Sequence, residues 1–432
     1  MNINKLFHKK RMKKKYLIIF IVLFFLIFPL FIISKINIAG NLPKYQQKLW
    51  GTAFNIFMES PDFIKSSFMI ISGKRNFSNL FNDYNVKFLP ETQYLNLEFY
   101  KKKINFSKSS RLSFYVEEYK NNLIIITKNG EFFRAELNEL SDKSKKLNTI
   151  KLQNKNLIEQ SENELTILDS LIIDNKIYLT KTTKQKNCRK LSIVFSEIND
   201  VLSFETLKEF KECALVGIGA GRIQYYKFNS KRGILLSTTD SDNDEPGARA
   251  QDDKSIYGKI IFINLSNGDH EIFSKGHRNA QGIAVKDDII ISTEHGPRGG
   301  DEINRIFYNK NYGWPIASYG YSYERKDLTY KKSHEKNLFE EPLFVFLPSI
   351  GISELIILPD EFDEKWNHNV LVTSLNDRSI YRVKFQNKNF DKILYLEKIY
   401  IGERIRDIKY IDKLNIIITA LERTGSVGIL RK

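Results

Sequence analysis

The sequence is poor in the residues that build many small metal and redox sites. It contains only two cysteines, Cys188 and Cys213, in 432 residues, and their spacing excludes the CxxC patterns of zinc and redox centres. Histidine occurs six times, and none lies between His8 and His270. Proline is also scarce, with ten residues, whereas 31 phenylalanines and 21 tyrosines favour β-strands. The composition is therefore that of a globular, strand-rich protein.

The sequence also lacks a cluster of lysines and arginines that could form a continuous basic surface. The net charge is +16, but seven positive charges lie in the first fifteen residues, which form a basic cytoplasmic tail at 1–15. The remaining lysines are scattered among asparagine, glutamate and aspartate, without the interleaved aromatic residues of a nucleic-acid surface. We therefore expect no nucleic-acid partner.

One long uncharged run, at 17–34, follows the basic tail. About 20 apolar residues span a bilayer, and Tyr16 can extend this run to the interface. We expect a transmembrane signal anchor at 16–35, because the run is longer than the about 7–15 apolar residues of a cleaved signal peptide. A removed signal peptide is the alternative. The positive-inside rule then places the rest of the chain on the periplasmic side of a bacterial inner membrane.

The two cysteines lie beyond this predicted anchor, where disulfides form. A bridge between Cys188 and Cys213 would close a loop of about 25 residues and stabilise the fold by about 3 kcal/mol in the chain-entropy model. Two buried free thiols are the alternative.

The rest of the chain repeats one pattern six times. An aliphatic run that ends in threonine or serine is followed by a turn and an alternating strand, and the runs begin at 123, 177, 234, 289, 370 and 416. A period of about 50 residues with two or more strands per unit is typical of a β-propeller. We therefore predict an all-β, six-bladed β-propeller at 86–432, preceded by a stalk or linker at 36–85 and by the transmembrane helix. An insertion at about 316–340 is expected to shape or cover the central mouth.

Two glycine-rich turns carry the strongest functional signal. The segment contains GHRNAQG at 276–282, STEHGPRGGDEINRI at 292–306 and NYGWP at 311–315. Turns this dense in glycine, proline and ionisable residues usually hold a ligand. The segment resembles the glucose/sorbosone dehydrogenase family of quinoprotein propellers, and the resemblance covers about 165–432.

The resemblance implies a site for pyrroloquinoline quinone (PQQ) on one face of the propeller. Arg278 and Asn279 match the pair that contacts the quinone, and Arg404 and Arg406 match two arginines that meet its carboxylates. Residues i and i+2 of a strand share one face, so both guanidiniums can point at one anion.

The resemblance also implies a calcium ion in this site. Gly296 and Pro297 match the turn whose carbonyls bind calcium, and Asp301 and Glu302 match the acidic pair that follows. Calcium prefers clustered oxygen ligands of this kind. A buried ionic network of Arg278, Asp301 and Glu302 that fixes blade packing is the alternative.

Three family residues are missing from the matching positions. Ile218 stands at the position of the catalytic histidine, Asn376 at that of a lysine and Leu347 at that of a tryptophan. A positioned base contributes about 10²–10⁴-fold, so we expect any dehydrogenase activity to be weak. His295 and Asp240 are candidates for a substitute base. The acidic loop around Asp240 is alternatively a calcium loop or a plain turn.

Two main functions fit these observations. The resemblance implies a quinoprotein oxidoreductase that acts on an aldose or a related hydroxyl compound through an altered site. The missing residues favour a non-catalytic propeller that binds a carbohydrate or a cell-envelope partner. Another activity, such as a calcium-dependent hydrolase, is the remaining option.

Overall fold

The structure, a computed structural model, is described for part of the chain. The described residues are 92, 95–106, 113–144, 146–157, 164–185, 188–214, 219–240, 249–323 and 329–432. The predicted tail, anchor and stalk lie outside them. No helix within these ranges is long and apolar enough to cross a membrane.

The first blades begin after a single strand, β1, that precedes them in the chain. Blade 1 contains β2 to β5 and a one-turn helix α1, and blade 2 contains β6, β7, β8 and β10, while the short β9 adds to the outer edge of blade 1. The bounds are β1 (Glu98–Lys103), β2 (Phe114–Tyr119), β3 (Asn122–Thr127), β4 (Phe132–Glu136), α1 (Asn138–Ser141), β5 (Ile150–Lys155), β6 (Leu165–Ile173), β7 (Lys176–Gln185), β8 (Cys188–Glu197), β9 (Val201–Ser203) and β10 (Glu205–Ala214).

Blades 3 and 4 carry the glycine-rich turns. Blade 3 contains β11 to β14 with the short β18 at its outer edge, and blade 4 contains β15, β16, β17 and β19. The bounds are β11 (Ile223–Phe228), β12 (Lys231–Ser237), β13 (Lys259–Asn264), β14 (His270–Lys275), β15 (Ala280–Lys286), β16 (Ile289–Glu294), β17 (Asp301–Ile306), β18 (Lys310–Asn311) and β19 (Phe344–Phe346).

Blade 6 closes the ring with strands from both ends of the propeller. Blade 5 contains β20 to β23, and in blade 6 the strands β24, β25 and β26 pair in order before β1 joins β26. Glu98 lies opposite Arg431 and Lys103 opposite Ser426 in this antiparallel pair. The bounds are β20 (Ile352–Ile357), β21 (Asn369–Ser374), β22 (Ser379–Phe385), β23 (Ile393–Tyr400), β24 (Ile405–Ile411), β25 (Ile416–Leu421) and β26 (Ser426–Arg431).

The prediction of a six-bladed, all-β propeller is confirmed. The described residues form six sheets of four antiparallel strands, two of them with one further short strand. The six predicted aliphatic runs are the second strands β3, β7, β12, β16, β21 and β25, and the alternating strands after them are the third strands. The second strands are almost entirely buried, as expected for a strand between neighbouring blades.

The cysteines join two strands of blade 2. Cys188 begins β8 and Cys213 lies near the end of the neighbouring β10. Their sulfur atoms form a disulfide, with the Cα atoms 5.7 Å apart, inside the range that a bridge requires.

The axis of the propeller is filled by charged side chains. Arg222, just before β11, is buried, and its Nη1 lies 3.0 Å from Asp169 Oδ1 on β6 and 3.1 Å from Glu354 Oε2 on β20. Its Nε donates to the Gln281 carbonyl (2.7 Å) on β15, and Nη2 donates to the Arg406 carbonyl (2.9 Å) on β24. The guanidinium also lies 5.1 Å from the ring of Tyr115 on β2. One side chain therefore contacts all five other innermost strands.

A second ion pair lies beside Arg222. Lys409 on β24 places Nζ 3.0 Å from Glu117 Oε1 on β2. Burial raises the pKa of Glu117 to about 7 and that of Glu354 to about 8, although nearby cations oppose the shift. Burial also raises the pKa of Asp169, against the influence of Arg222. Arg222 is thus the main counter-ion of Asp169 and Glu354, and Lys409 is that of Glu117.

Substitution Arg222→Met should leave Asp169 and Glu354 without their main counter-ion. Removing one partner of a buried ion pair typically costs about 3–5 kcal/mol, so we expect a loss of this size in the free energy of unfolding, measured by urea denaturation. Arg232→Met is the matched control, because Arg232 pairs with Asp174 at an exposed position, and it should change the stability little. Equal stability of the two variants would contradict the assigned role of Arg222.

Candidate functional site

The predicted site residues meet at one end of the blades. Consecutive strands of a blade are antiparallel, so the segment before the first strand and the turn between the second and third strands lie at the same end. Arg278 and Asn279 precede β15, the turn at 295–300 joins β16 to β17, and Arg404 precedes β24. This end of the propeller is called the top face below.

A small, partly open cavity lies on the top face at blade 4, with room inside for about one water molecule. Part of its wall comes from the connection between β17 and β19, which runs over 307–343 and is longer than the predicted insertion at 316–340. The insertion therefore supplies part of the wall of this cavity. The lining residues are Gly276, Arg278, Glu294, His295, Gly296, Glu302, Tyr312, Trp314, Ala317, Ser318 and His334.

The buried carboxylate of Glu294 accepts hydrogen bonds that hold the segment 278–279 in place. Oε1 accepts from the backbone N–H groups of Arg278 and of Asn279, the latter at 3.2 Å. Oε2 lies 3.0 Å from His277 Nδ1, and His277 Nε2 lies 2.8 Å from Ser274 Oγ. His277 is fully buried and its ring stacks on Tyr312, with centroids 4.6 Å apart. This positioning role cannot be predicted from the sequence, because it depends on the pairing of β15 with β16.

The guanidinium of Arg278 lies against the cavity wall. Nη1 donates to the carbonyls of His295 (3.2 Å) and Gly296 (3.0 Å). The guanidinium also lies 5.2 Å from the ring of Trp314. Its Nε is buried and has no hydrogen-bond partner among the described residues. A buried donor without an acceptor costs about 1–3 kcal/mol, so this nitrogen marks a place where a ligand oxygen would be bound favourably.

Trp314 is oriented by the candidate base Asp240. Trp314 Nε1 donates to Asp240 Oδ2 at 2.7 Å, and the ring packs on Tyr330 with centroids 5.3 Å apart. Asp240 is almost completely buried in this contact. The carboxylate therefore positions the cavity wall and is a poor candidate for a base. The rest of its acidic loop lies outside the described residues.

The side chain of Asn279 connects three segments of the top face. Its Oδ1 accepts hydrogen bonds from Thr239 Oγ1 (3.0 Å) and Gln281 Nε2 (2.8 Å). Gln281 Nε2 also donates to the Gly219 carbonyl at 2.6 Å. Ile218, which stands at the family's histidine position, lies outside the described residues, but the residue after it packs directly against Asn279.

The implied calcium ligands are engaged with the protein itself. The Gly296 carbonyl accepts from Arg278, and the Pro297 carbonyl accepts from Tyr323 Oη at 3.0 Å. Asp301 Oδ1 accepts from the Gly296 N–H (3.2 Å), and Oδ2 accepts from the N–H groups of Ile350 and Ile352 (3.0 Å each). Burial favours a higher pKa for Asp301, but the His295 imidazole and these N–H donors outweigh it and lower the pKa.

Glu302 lies directly opposite Glu294 on the paired strands β16 and β17. Both side chains are buried, and burial together with the charge of Glu294 raises the pKa of Glu302 well above its usual value. Its Oε2 accepts from Asn304 Nδ2 at 3.2 Å.

These contacts do not fit a calcium ion in this conformation. The guanidinium of Arg278 places a positive charge at the Gly296 carbonyl, and the Asp301 carboxylate is taken up by backbone N–H groups. Within the described ranges, no group of three or more His, Cys, Asp or Glu side chains is arranged to hold a metal ion. Arg278 is not paired directly with Asp301 or Glu302 either, so the alternative of a three-membered ionic network is not the arrangement that the structure contains.

His295 is the most accessible histidine of the cavity wall. Its side chain is 21% exposed, and Nδ1 lies 3.7 Å from Asp301 Oδ1. His334, the other lining histidine, is almost completely buried. The neighbouring carboxylate favours a proton on Nδ1 of His295, which leaves Nε2 as the proton acceptor.

Arg404 and Arg406 lie on the same side of their segment, as expected. Both contact Glu422, through Arg404 Nε (3.3 Å) and Arg406 Nε (2.6 Å). These contacts lower the pKa of Glu422 in spite of its burial. Arg406 Nη1 also reaches Gln281 Oε1 at 3.4 Å, which links the two arginines to the Asn279 network. The side chain of Arg404 remains 42% exposed.

The two other missing family residues are replaced by exposed side chains. Asn376 is exposed in the turn between β21 and β22. Leu347 is 60% exposed, close to Gly299 of the cavity turn. Neither supplies a cation or an aromatic face to a ligand.

A model of the glucose/sorbosone dehydrogenase family matches residues 173–429, more than half of the chain. The chain belongs to the glucose/sorbosone dehydrogenase family. Its members share the six-bladed propeller, and this chain keeps the top-face motifs by which the family was expected from sequence.

Individual relatives agree with this assignment. Aldose sugar dehydrogenase YliI of Escherichia coli (strain K12) is 28% identical over 233 residues, which are 49% of this chain and 60% of that protein. The uncharacterised protein slr1608 of Synechocystis sp. (strain ATCC 27184 / PCC 6803 / Kazusa) is 33% identical over 164 residues, 37% of this chain and 39% of that protein. The chain thus spans less than two thirds of the length of these curated relatives.

Solved structures show the same fold. The PQQ-bound aldose sugar dehydrogenase of Streptomyces coelicolor superposes with a TM-score of 0.55 at 16% identity, over 79% of this chain and 99% of that chain. At this identity the likeness concerns the fold alone.

Substitution Arg278→Gln should remove the hydrogen bond to the Gly296 carbonyl and free its oxygen to bind a calcium ion. We expect calcium to raise the melting temperature of this variant more than that of the wild type, because the competing positive charge is gone. Thermal melts in calcium and in chelator measure the difference. A calcium concentration of 100 times the dissociation constant of one site adds about 2.7 kcal/mol to the free energy of unfolding. Arg305→Gln, at an exposed position outside the cavity lining, is the control. If calcium raises the melting temperatures of the wild type and of Arg278→Gln equally, the result contradicts competition between Arg278 and calcium for the Gly296 carbonyl.

Proposed function

We propose that this protein is a membrane-anchored sugar oxidoreductase of the quinoprotein type whose altered site supports only weak turnover. The observation that carries the proposal is the buried, unpaired Nε of Arg278 in the wall of the top-face cavity. It requires an acceptor that the described residues do not supply, and a quinone carbonyl or carboxylate oxygen has the right chemistry.

The residues of the top face are of the types that bind such an organic cofactor. Arg278 and Asn279 would hold its quinone part, and Arg404 and Arg406 would hold its carboxylates, since arginine forks match carboxylate oxygens. When bound, PQQ supplies the hydride acceptor for oxidation of a hydroxyl group. The chain itself must bind the sugar, exclude water and accept the hydroxyl proton.

His295 is proposed as the remaining proton acceptor. It lines the cavity, is partly exposed and has Asp301 beside Nδ1 to orient the ring. Nε2 can then take a proton from a sugar hydroxyl, as a general base must. Ile218 cannot serve at the family's histidine position, so a proton path through His295 would be a less effective substitute.

Exposed side chains beside the cavity support binding of a carbohydrate as the second candidate function. Tyr321 and Tyr323 are 61% and 56% exposed and flank the turn at 295–300, where Tyr321 pairs with Arg298. Exposed aromatic faces near a cavity are typical of ligand recognition. A propeller without activity could use this surface to bind a carbohydrate or an envelope partner.

The N-terminal segment supports anchoring in a bacterial inner membrane. The basic tail at 1–15 and the apolar run at 17–34 are typical of a single-pass signal anchor. A periplasmic position of the propeller also agrees with the disulfide of blade 2.

Deletion of residues 1–35 should move the protein from the membrane to the soluble fraction, because the deleted run is the proposed anchor. Carbonate extraction of membranes that contain the full chain or the deletion variant measures this change. A full chain that is extracted by carbonate would contradict the anchor.

Mixing the protein with PQQ should change the absorption spectrum of the quinone, while oxidation of an aldose should be slow. His295→Gln should remove most of the residual turnover and leave quinone binding intact, because the base is lost and the cation contacts remain. His270→Gln, at an exposed position of blade 3, is the control. An unchanged quinone spectrum would favour the carbohydrate-binding alternative, and fast turnover would contradict an impaired site.

A further inference from the structure

The side-chain amide of Gln281, the second residue of β15, joins three groups of the top face. Its Nε2 donates to the Gly219 carbonyl (2.6 Å) and to Asn279 Oδ1 (2.8 Å). Its Oε1 accepts from Arg406 Nη1 at 3.4 Å. The side chain is almost completely buried, so its polar atoms depend on these partners for their hydrogen bonds.

Two of the three partners fix the direction in which the Gln281 amide points. A backbone carbonyl can only accept a hydrogen bond, so the amide nitrogen must face Gly219. A guanidinium can only donate, so the amide oxygen must face Arg406. The amide of Gln281 therefore has one orientation that satisfies both neighbours.

The amide of Asn279 is oriented in turn. Because Gln281 approaches it with a donor, Asn279 must present its oxygen there. Thr239 Oγ1 also donates to this oxygen (3.0 Å), since the hydroxyl already accepts from the N–H groups of Gly219 (3.1 Å) and Ala220 (2.6 Å). With Oδ1 held in this way, Nδ2 makes no hydrogen bond with a described residue and is not enclosed by the protein.

We propose that Gln281 is a positioning residue, which holds the amide of Asn279 so that Nδ2 donates a hydrogen bond to an oxygen of a bound ligand. If the Asn279 amide were turned over, the ligand oxygen would meet an acceptor instead of a donor. The inference rests on the proposed function in one respect, because the expected oxygen is a quinone carbonyl of PQQ. The orientation of the amide itself requires no ligand.

The side-chain amide signals of the isotopically labelled protein, measured by NMR, test this orientation without a ligand. The signal missing from Gln281→Met belongs to Gln281, and the signal missing from Asn279→Ala belongs to Asn279. We expect slow hydrogen exchange at Gln281, because both of its amide hydrogens are bonded, and fast exchange at Asn279. In Gln281→Met the Asn279 signal should move, because its main donor is gone.

Gln224→Met is the matched control for this measurement. Gln224 is a half-buried glutamine near the start of β11, and its side chain makes no hydrogen bond with a described residue. Its substitution should leave the Asn279 signal unchanged. Slow exchange at Asn279 in the wild type, or an Asn279 signal that stays in place in Gln281→Met, would overturn the inference.

A double-mutant cycle on PQQ binding, measured by titration calorimetry, tests the effect on the ligand. Gln281→Met should weaken binding by about 2- to 10-fold, because one hydrogen-bond donor loses its orientation. The same substitution in the Asn279→Ala protein should have no further effect, since no amide remains to be positioned. Thermal melts verify that each variant is folded. Equal losses in both backgrounds would show that Gln281 has a structural role only.

The outcomes separate this inference from the proposed function. Binding of PQQ by the wild type, with independent effects of the two substitutions, would overturn the role of Gln281 and leave the proposed function in place. Absence of PQQ binding by the wild type would contradict the quinone as the ligand. The amide signals alone then decide whether Gln281 positions Asn279.

Discussion

The guanidinium of Arg222 is the contact on which the closed ring depends. It comes from blade 3 and touches the innermost strands of the other five blades through two carboxylates, two carbonyls and one tyrosine ring. Hydrophobic packing joins each blade only to its neighbours, so it cannot by itself fix all six around one point. A buried cation with so many acceptors can, because leaving any of them unpaired in the interior is costly.

The same contact forms the base of the candidate site. Arg222 holds the carbonyls of Gln281 and Arg406, and the side chains of these two residues meet one layer above. Gln281 then binds Asn279 and the Gly219 carbonyl. The top-face residues therefore rest on the axis network, and a change at the axis would be transmitted to the ligand site through one layer of hydrogen bonds.

The periodic part of the fold could be predicted from sequence, because a strand buried between two blades must be apolar on both faces. The closing strand, β1, could not be predicted in this way. Its sequence, EFYKKK at 98–103, has no aliphatic run, and it is a strand only because β26 offers a free edge. The same limit applies to the site. Motifs identified Arg278, Asn279, Arg404 and Arg406, but they could not show that Arg278 would engage the Gly296 carbonyl.

Contacts between residues that are distant in the chain explain why the sequence did not predict the other features of the site. The role of His277 could not be predicted from the sequence, because it depends on Glu294. Glu294 faces His277 only when β15 pairs with β16. The raised pKa of Glu302 follows from its burial and from its position opposite Glu294 in the sheet, which no spacing along the chain displays.

The pairing of β1 with β26 has a consequence for how the protein is made. Glu98 and Arg431 are bonded across 333 positions of the chain, so blade 6 cannot be completed until the last strand has been synthesised. Until then β1 and one edge of β25 lack their partner strand, and such unpaired edges attract other chains. Synthesis of β26 is thus the step that covers both edges and completes blade 6.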